Sequence, residues 1–167
     1  MINGSDGRRR WVRETVGQAA TQLHNGEADA AVGTLAELTS GGGEVAVADC
    51  RAATSMLNGA AAEMISALCR DTGGVSAFGV HLADEDGEEV SIDDIVPPIR
   101  AGIRALLADV NGDRETAELQ LDLAFRTSDP MTAGTVALHS LLWASDLVEQ
   151  CEREHVRVPN WLGGSSS

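Results

Sequence analysis

The sequence predicts a mainly α-helical protein of about six helices in a bundle-like or two-layer arrangement, with one small antiparallel β-hairpin (about residues 76–92) between two three-helix halves. Three observations predict it. Apolar residues recur at spacings of three and four over long stretches, the period of a helix with one buried face. Asn-Gly pairs at 25–26 and 111–112 fall at the ends of such stretches, where a left-handed residue stops a helix. Around Phe78, Val80 and Leu82 the period changes to alternation, which is strand spacing.

The elements follow in chain order. Residues 1–9, with Asn, Gly, Ser and Asp before an arginine cluster, read as a disordered tail. Residues 10–162 read as a single helical domain with halves 10–71 and 97–155, and 163–167 as a flexible C-terminal tail. The first helix is expected from about Arg10 to Leu23, and the second from Glu27 to Leu38 with Ala31, Val32, Leu35 and Leu38 inward. A long helix from about Glu44 to Arg70 carries Cys50, Leu57, Ala61, Met64, Ile65 and Leu68 on one stripe. Pro97 and Pro98 suit the first turn of the fourth helix, where a missing N–H costs nothing. Its stripe is Ile99, Ile103, Leu106, Leu107 and Val110. The fifth helix, about Asp113 to Arg126, turns Ala117, Leu121, Ala124 and Phe125 inward. The sixth runs from Pro130 to about Glu154, with Ser128 or Asp129 as N-cap and Leu138, Leu141, Leu142, Ser145 and Val148 inward. An apolar clip of Val156, Val158, Trp161 and Leu162 follows.

The stretch LADEDGEEVSIDD, Leu82 to Asp94, carries seven carboxylates. Read as a calcium loop around Gly87, it lacks a ligand at its first position, Leu82, and the bidentate Glu at its last, Asp93. Read as a hairpin, it pairs Leu82 with Val90 and Val80 with Ile92, sets Asp84 opposite Glu88 and leaves a three-residue loop ending at Gly87, where left-handed geometry is needed. The hairpin reading is preferred, with Phe78, Val80, Leu82, Val90 and Ile92 as the candidate edge. A lone hairpin is marginal in water, so these residues must cover helices of this chain or pair with another copy.

Asn25-Gly26 and Asn111-Gly112 lie 86 residues apart, and each is followed by Ala and Leu at matching positions, Ala31 and Leu35 against Ala117 and Leu121. That spacing suggests two copies of one unit, a helix–NG–helix hairpin followed by a long helix.

Composition narrows the chemistry. The 167 residues are 43% apolar with a net charge of −14, which argues against nucleic-acid binding, since phosphate neutralisation needs a basic face. All twelve basic residues are arginine, as in a GC-rich bacterial sequence. Without lysine, P-loop and Schiff-base chemistry are closed. No apolar run of about 18 residues is present, so no membrane span is expected. Cys50, Cys69 and Cys151 read as unpaired thiols of a cytoplasmic protein.

Candidate chemical sites are sparse. Cys151 and His155 share a helix face but make only half a zinc site. Ser40–Glu44, SGGGE, precedes a helix, yet Glu44 would repel an anion. Glu63 and Glu149 lack the partners of a di-metal bundle. No catalytic residue, cofactor or metal is therefore expected. The basic cluster Arg8–Arg13 is read as a solvated tail, or as a grip for an acidic partner or the acidic tip. On the sixth helix, His139, Trp143, Asp146 and Gln150 form a polar face with a tryptophan in it, a candidate interface because Trp anchors binding surfaces. The expectation is a non-enzymatic protein–protein interaction module, an adaptor or regulatory subunit that binds another protein and forms a homodimer. The alternatives are a ligand-binding or enzymatic bundle with a pocket between the halves, and an acidic nucleic-acid mimic.

Overall fold

The protein was analysed as a computed structural model, which describes residues 4–70, 81–126 and 128–163. It is mainly helical. The helices are α1 (Gly4–His24), α2 (Ala28–Ala36), α3 (Gly43–Leu68), α4 (Pro97–Val110), α5 (Arg114–Phe125) and α6 (Pro130–Arg153). The longest two, α3 and α6, pack against each other most extensively. The α1–α2 and α4–α5 hairpins are laid onto that pair, and α1 and α4 each touch both long helices. Facing residues are small, Ala46, Cys50, Ala53 and Ala60 on α3 and Ala133, Ala137, Ser140 and Ala144 on α6, all buried. Small side chains let helix axes approach closely. Leu57, Met64, Leu121 and Leu141 fill the space between layers and are fully buried.

The two NG turns are the same structure. In each, glycine is left-handed (Gly26 φ 79°, Gly112 φ 77°) and closes the helix with a pair of reversed hydrogen bonds. Glu27 N donates to Gln22 O at 2.8 Å, and Asp113 N to Ala108 O at 2.9 Å. Gly26 N donates to Leu23 O at 2.9 Å, and Gly112 N to Asp109 O at 3.1 Å. This is the Schellman arrangement, which satisfies carbonyls the helix end leaves orphaned. His155 takes the same left-handed place after α6 (φ 56°), and Val156 N closes on Cys151 O at 2.8 Å. The chain then turns back so that Leu162 is buried and Trp161 packs on the core.

Several expectations need correction. The tail expected over residues 1–9 is helical from Gly4, because Arg8 is anchored on Asp49 of α3 and Asp6 suits the positive end of the helix. Val32 is 48% exposed and Thr34 is buried in its place, since the inward arc of α2 runs through Ala31, Thr34, Leu35 and Leu38. Leu142 is 40% exposed, because α6 meets α3 along an arc centred on Ala137, Leu141, Ala144 and Val148.

The expected hairpin is reduced to its tip. Asp84 N donates to Glu88 O at 2.9 Å, Val90 N to Leu82 O at 2.9 Å, and Gly87 is left-handed at φ 81°. Yet only an isolated bridge forms, Ala83 with Glu89, and no strand exists among the described residues. Ile92 belongs to a 3-10 turn, Ile92–Asp94, because the Ser91 hydroxyl accepts from Asp93 N and bends the chain. Phe78 and Val80 lie outside the described residues. Arg100 and Arg104 of α4 pair with Asp93 at 3.6 and 3.7 Å and tie the segment down.

Candidate functional site

The predicted interface lies on one side of α6. His139 and Trp143 are half-buried one turn apart, with ring centroids 6.0 Å apart and planes tilted by 38°. Asp146 and Gln150 continue the same side and are exposed. Among the described residues, Trp11 and Trp161 pack on the core cluster and Trp143 does not. Leu82, Val90 and Ile92 share a groove with Ile103 and Leu107 of α4, so their apolar side turns toward this chain's own helix.

Sequence reasoning missed the most elaborate polar arrangement, which joins α1, α3, α4 and α5. Asp49 lies on the buried side of α3 with its side chain 6% exposed. Burying a carboxylate requires a partner, and Arg8 of α1 supplies it. Arg8 Nε donates to Asp49 Oδ1 at 3.0 Å, Nη2 donates to Oδ2, and the guanidinium lies 4.4 Å from the centre of the Trp11 ring. Two residues on, Arg51 Nη2 donates to Glu118 Oε2 at 2.9 Å and to Asp122 Oδ1 at 2.7 Å. Glu118 is shared with Arg114, whose Nη2 is 3.2 Å from Oε1. Arg114 Nη1 also donates to Asp109 Oδ1 at 3.4 Å. Burial pushes the Asp109 carboxyl above the usual carboxylate range, against the pull of Arg114.

These pairs bound a groove of about 470 Å³ lined by Arg8, Arg9, Arg51, Arg114 and the hydroxyl-bearing Ser5 and Ser55. One member of the arginine cluster, Arg8, therefore grips an internal carboxylate, Asp49. The signal that could have found this is an aspartate on an apolar helical stripe, Ala46, Asp49, Cys50, Ala53.

A second cavity, about 590 Å³, lies between the start of α3 and the α5–α6 junction, lined by Val47, Arg51, Phe125, Arg126 and Pro130 among others. Among the described residues no group of three or more His, Cys, Asp or Glu side chains could hold a metal ion, and no helix is long and apolar enough to cross a membrane. The Cys50 thiol is pushed up to about 12 by burial and by neighbouring Asp49, and burial raises Cys151 as well. Both are poor nucleophiles in the folded state.

These features define a mainly helical protein with a polar groove and a half-exposed aromatic face. Comparison with known proteins adds no family, since no family model, curated protein or solved structure matches the chain.

Proposed function

We propose that this chain is a non-enzymatic, acidic protein–protein interaction module, an adaptor or regulatory subunit that self-associates and binds another protein. Its contact surface is the α6 face of His139, Trp143, Asp146 and Gln150. One observation carries the reading: Trp143 makes a tilted ring contact with His139 and, among the described residues, does not pack on the core cluster, beside the exposed Leu142. A partly exposed tryptophan within a polar rim is the usual anchor of a binding surface. A cytoplasmic setting belongs to the same proposal, and the buried free thiols of Cys50 and Cys151 support it.

Sedimentation equilibrium on the native protein and on Trp143→Ala tests it. The variant should keep its urea midpoint and lose about 2 kcal/mol or more of association, about thirtyfold in Kd. A native protein that is monomeric throughout, with a variant that unfolds early, refutes the reading and makes Trp143 a structural residue.

The cavity between α3 and the α5–α6 junction favours a second reading, a small-ligand-binding bundle. Its volume of about 590 Å³ matches small-molecule sites, and the Phe125 and Val47 wall faces charged Arg126.

A further inference from the structure

We propose that the groove between α1, α3 and α5 binds a small phosphorylated molecule through Arg8, Arg9, Arg51 and Arg114. The inference is independent of the α6 face and concerns a different surface.

A guanidinium carries five N–H groups in a planar fork. Arg8 uses Nε and Nη2 on Asp49, and Arg51 uses Nε and Nη2 on Asp122 and Glu118. In both, Nη1 has no partner among the described residues. Arg114 reaches Asp109 and Glu118 with its two Nη atoms and leaves Nε without one. Arg9 makes no ion pair among the described residues. Three of the four arginines are thus oriented by carboxylates while keeping N–H groups to donate. Ordering side chains before binding removes part of the entropy cost of binding. The Ser5 and Ser55 hydroxyls line the same groove.

Charge and shape then select the ligand. Four guanidinium groups are balanced by four carboxylates, Asp49, Asp109, Glu118 and Asp122, but only Asp49 and Glu118 line the groove, so its wall presents more N–H donors than carboxylates. Arginines arriving from three helices suit a tetrahedral oxyanion with several acceptor oxygens better than a carboxylate, which a single planar fork saturates. The volume of about 470 Å³ fits a small molecule. The chain's net charge of −14 repels an extended polyanion, whereas a small ligand senses mainly the local guanidinium groups, because salt screens exposed charges beyond roughly 8 Å.

Calorimetric titration of the full chain at about 0.15 M salt, where that screening holds, tests the site, with inorganic phosphate, phenyl phosphate and acetate as probes. Saturable one-to-one binding of a phosphate probe is expected, with acetate far weaker. Tighter binding of phenyl phosphate assigns an organic phosphoester, and tighter binding of inorganic phosphate assigns the free ion. Arg9→Gln alters an exposed side chain that makes no ion pair among the described residues, so its urea midpoint should hold, whereas Arg114→Gln also unpairs Asp109, whose side chain is 6% exposed, and should lower the midpoint without unfolding the chain. Each should weaken phosphate binding by about tenfold or more, the loss expected for one charge-assisted hydrogen bond. No saturable binding at millimolar phosphate, acetate binding as tight as phosphate, or binding unchanged in both variants overturns the proposal.

Discussion

Placing a methyl group on Gly17 tests how the C-terminal clip is held. Gly17 lies in the middle of α1, and a Cβ built there would sit 2.8 Å from the backbone oxygen of Trp161. That oxygen belongs to main chain fixed by the burial of Leu162, so it cannot swing aside as a flexible side chain would. Gly33 in α2 is the control, because a Cβ there meets nothing within 4 Å. In a helix interior, Ala is better than Gly by about 0.8–1.0 kcal/mol. Gly33→Ala should realise that gain. At Gly17 the same gain is set against overpacking, which costs about 1–3 kcal/mol. The two variants should therefore differ by about 1–3 kcal/mol, with Gly17→Ala the less stable. Urea unfolding at constant m-value measures the difference. Deleting the chain after His155 closes a thermodynamic cycle, since without the clip Gly17→Ala should stabilise like Gly33→Ala. If Gly17→Ala stabilises the intact chain as much as Gly33→Ala does, the clip does not rest on α1 and the packing described is wrong.

Other perturbations have equally definite outcomes. Leu141→Ala removes a fully buried side chain and should cost about 2–5 kcal/mol by urea unfolding, while Leu119→Ala, at a site 53% exposed, should stay within about 0.5 kcal/mol of native. The N-caps of α5 and α6 should steepen acid unfolding. Asp113 is held below the usual carboxylate range by the Thr116 hydroxyl and backbone N–H, and Asp129 by the Thr132 backbone N–H and hydroxyl. Their contribution is complete above the unfolded value, about 3.9, and is lost as pH falls through the lower folded values. Asn at both positions should keep the caps and flatten that acid limb. A thiol reagent at pH 8 should label half-buried Cys69 in the native protein, and Cys50 and Cys151 only after denaturant is added. Rapid native labelling of Cys50 would contradict its burial.

Legibility from sequence followed the range of the interactions that decide each feature. Helix ends governed by local chemistry were readable, namely the NG stops, the Pro97 and Pro130 starts and the Asp129 cap. Features decided by distant partners were not. Gly4–Arg9 looks unfavourable for a helix by propensity, and Asp49, remote in sequence, reverses that by anchoring Arg8. Glu118 pairs locally with Arg114, but neither it nor Asp122 gives a local sign of meeting Arg51 on the distant α3, so the groove was invisible. The acidic tip was readable only as far as its turn, because Gly87 fixes the loop locally. Whether a strand extends beyond the loop depends on what the flanks pack against, and Ser91 diverts one flank into a 3-10 turn.

The register of the two long helices links the two candidate surfaces. An offset of 86 carries the end of α1 onto the end of α4 and the start of α2 onto the start of α5. The long helices follow an offset of 87, since Gly43 begins α3 and Pro130 begins α6. One extra residue before α6 rotates every side chain by about 100°, the angle per residue at 3.6 residues per turn. With that offset the buried Ala46, Cys50, Ala53, Leu57 and Met64 fall on Ala133, Ala137, Ser140, Ala144 and Cys151, all buried as well. The same relation sets Ala52, Ser55 and Met56 of α3 against His139, Leu142 and Trp143 of α6. The first three line the arginine groove, where α1 and α5 fold over them. The second three include the aromatic pair and the exposed leucine of the proposed interface. Equivalent faces of the two long helices thus carry both candidate sites. On α3 that face is roofed by ion pairs from neighbouring helices, and on α6 it carries a tryptophan set apart from the core.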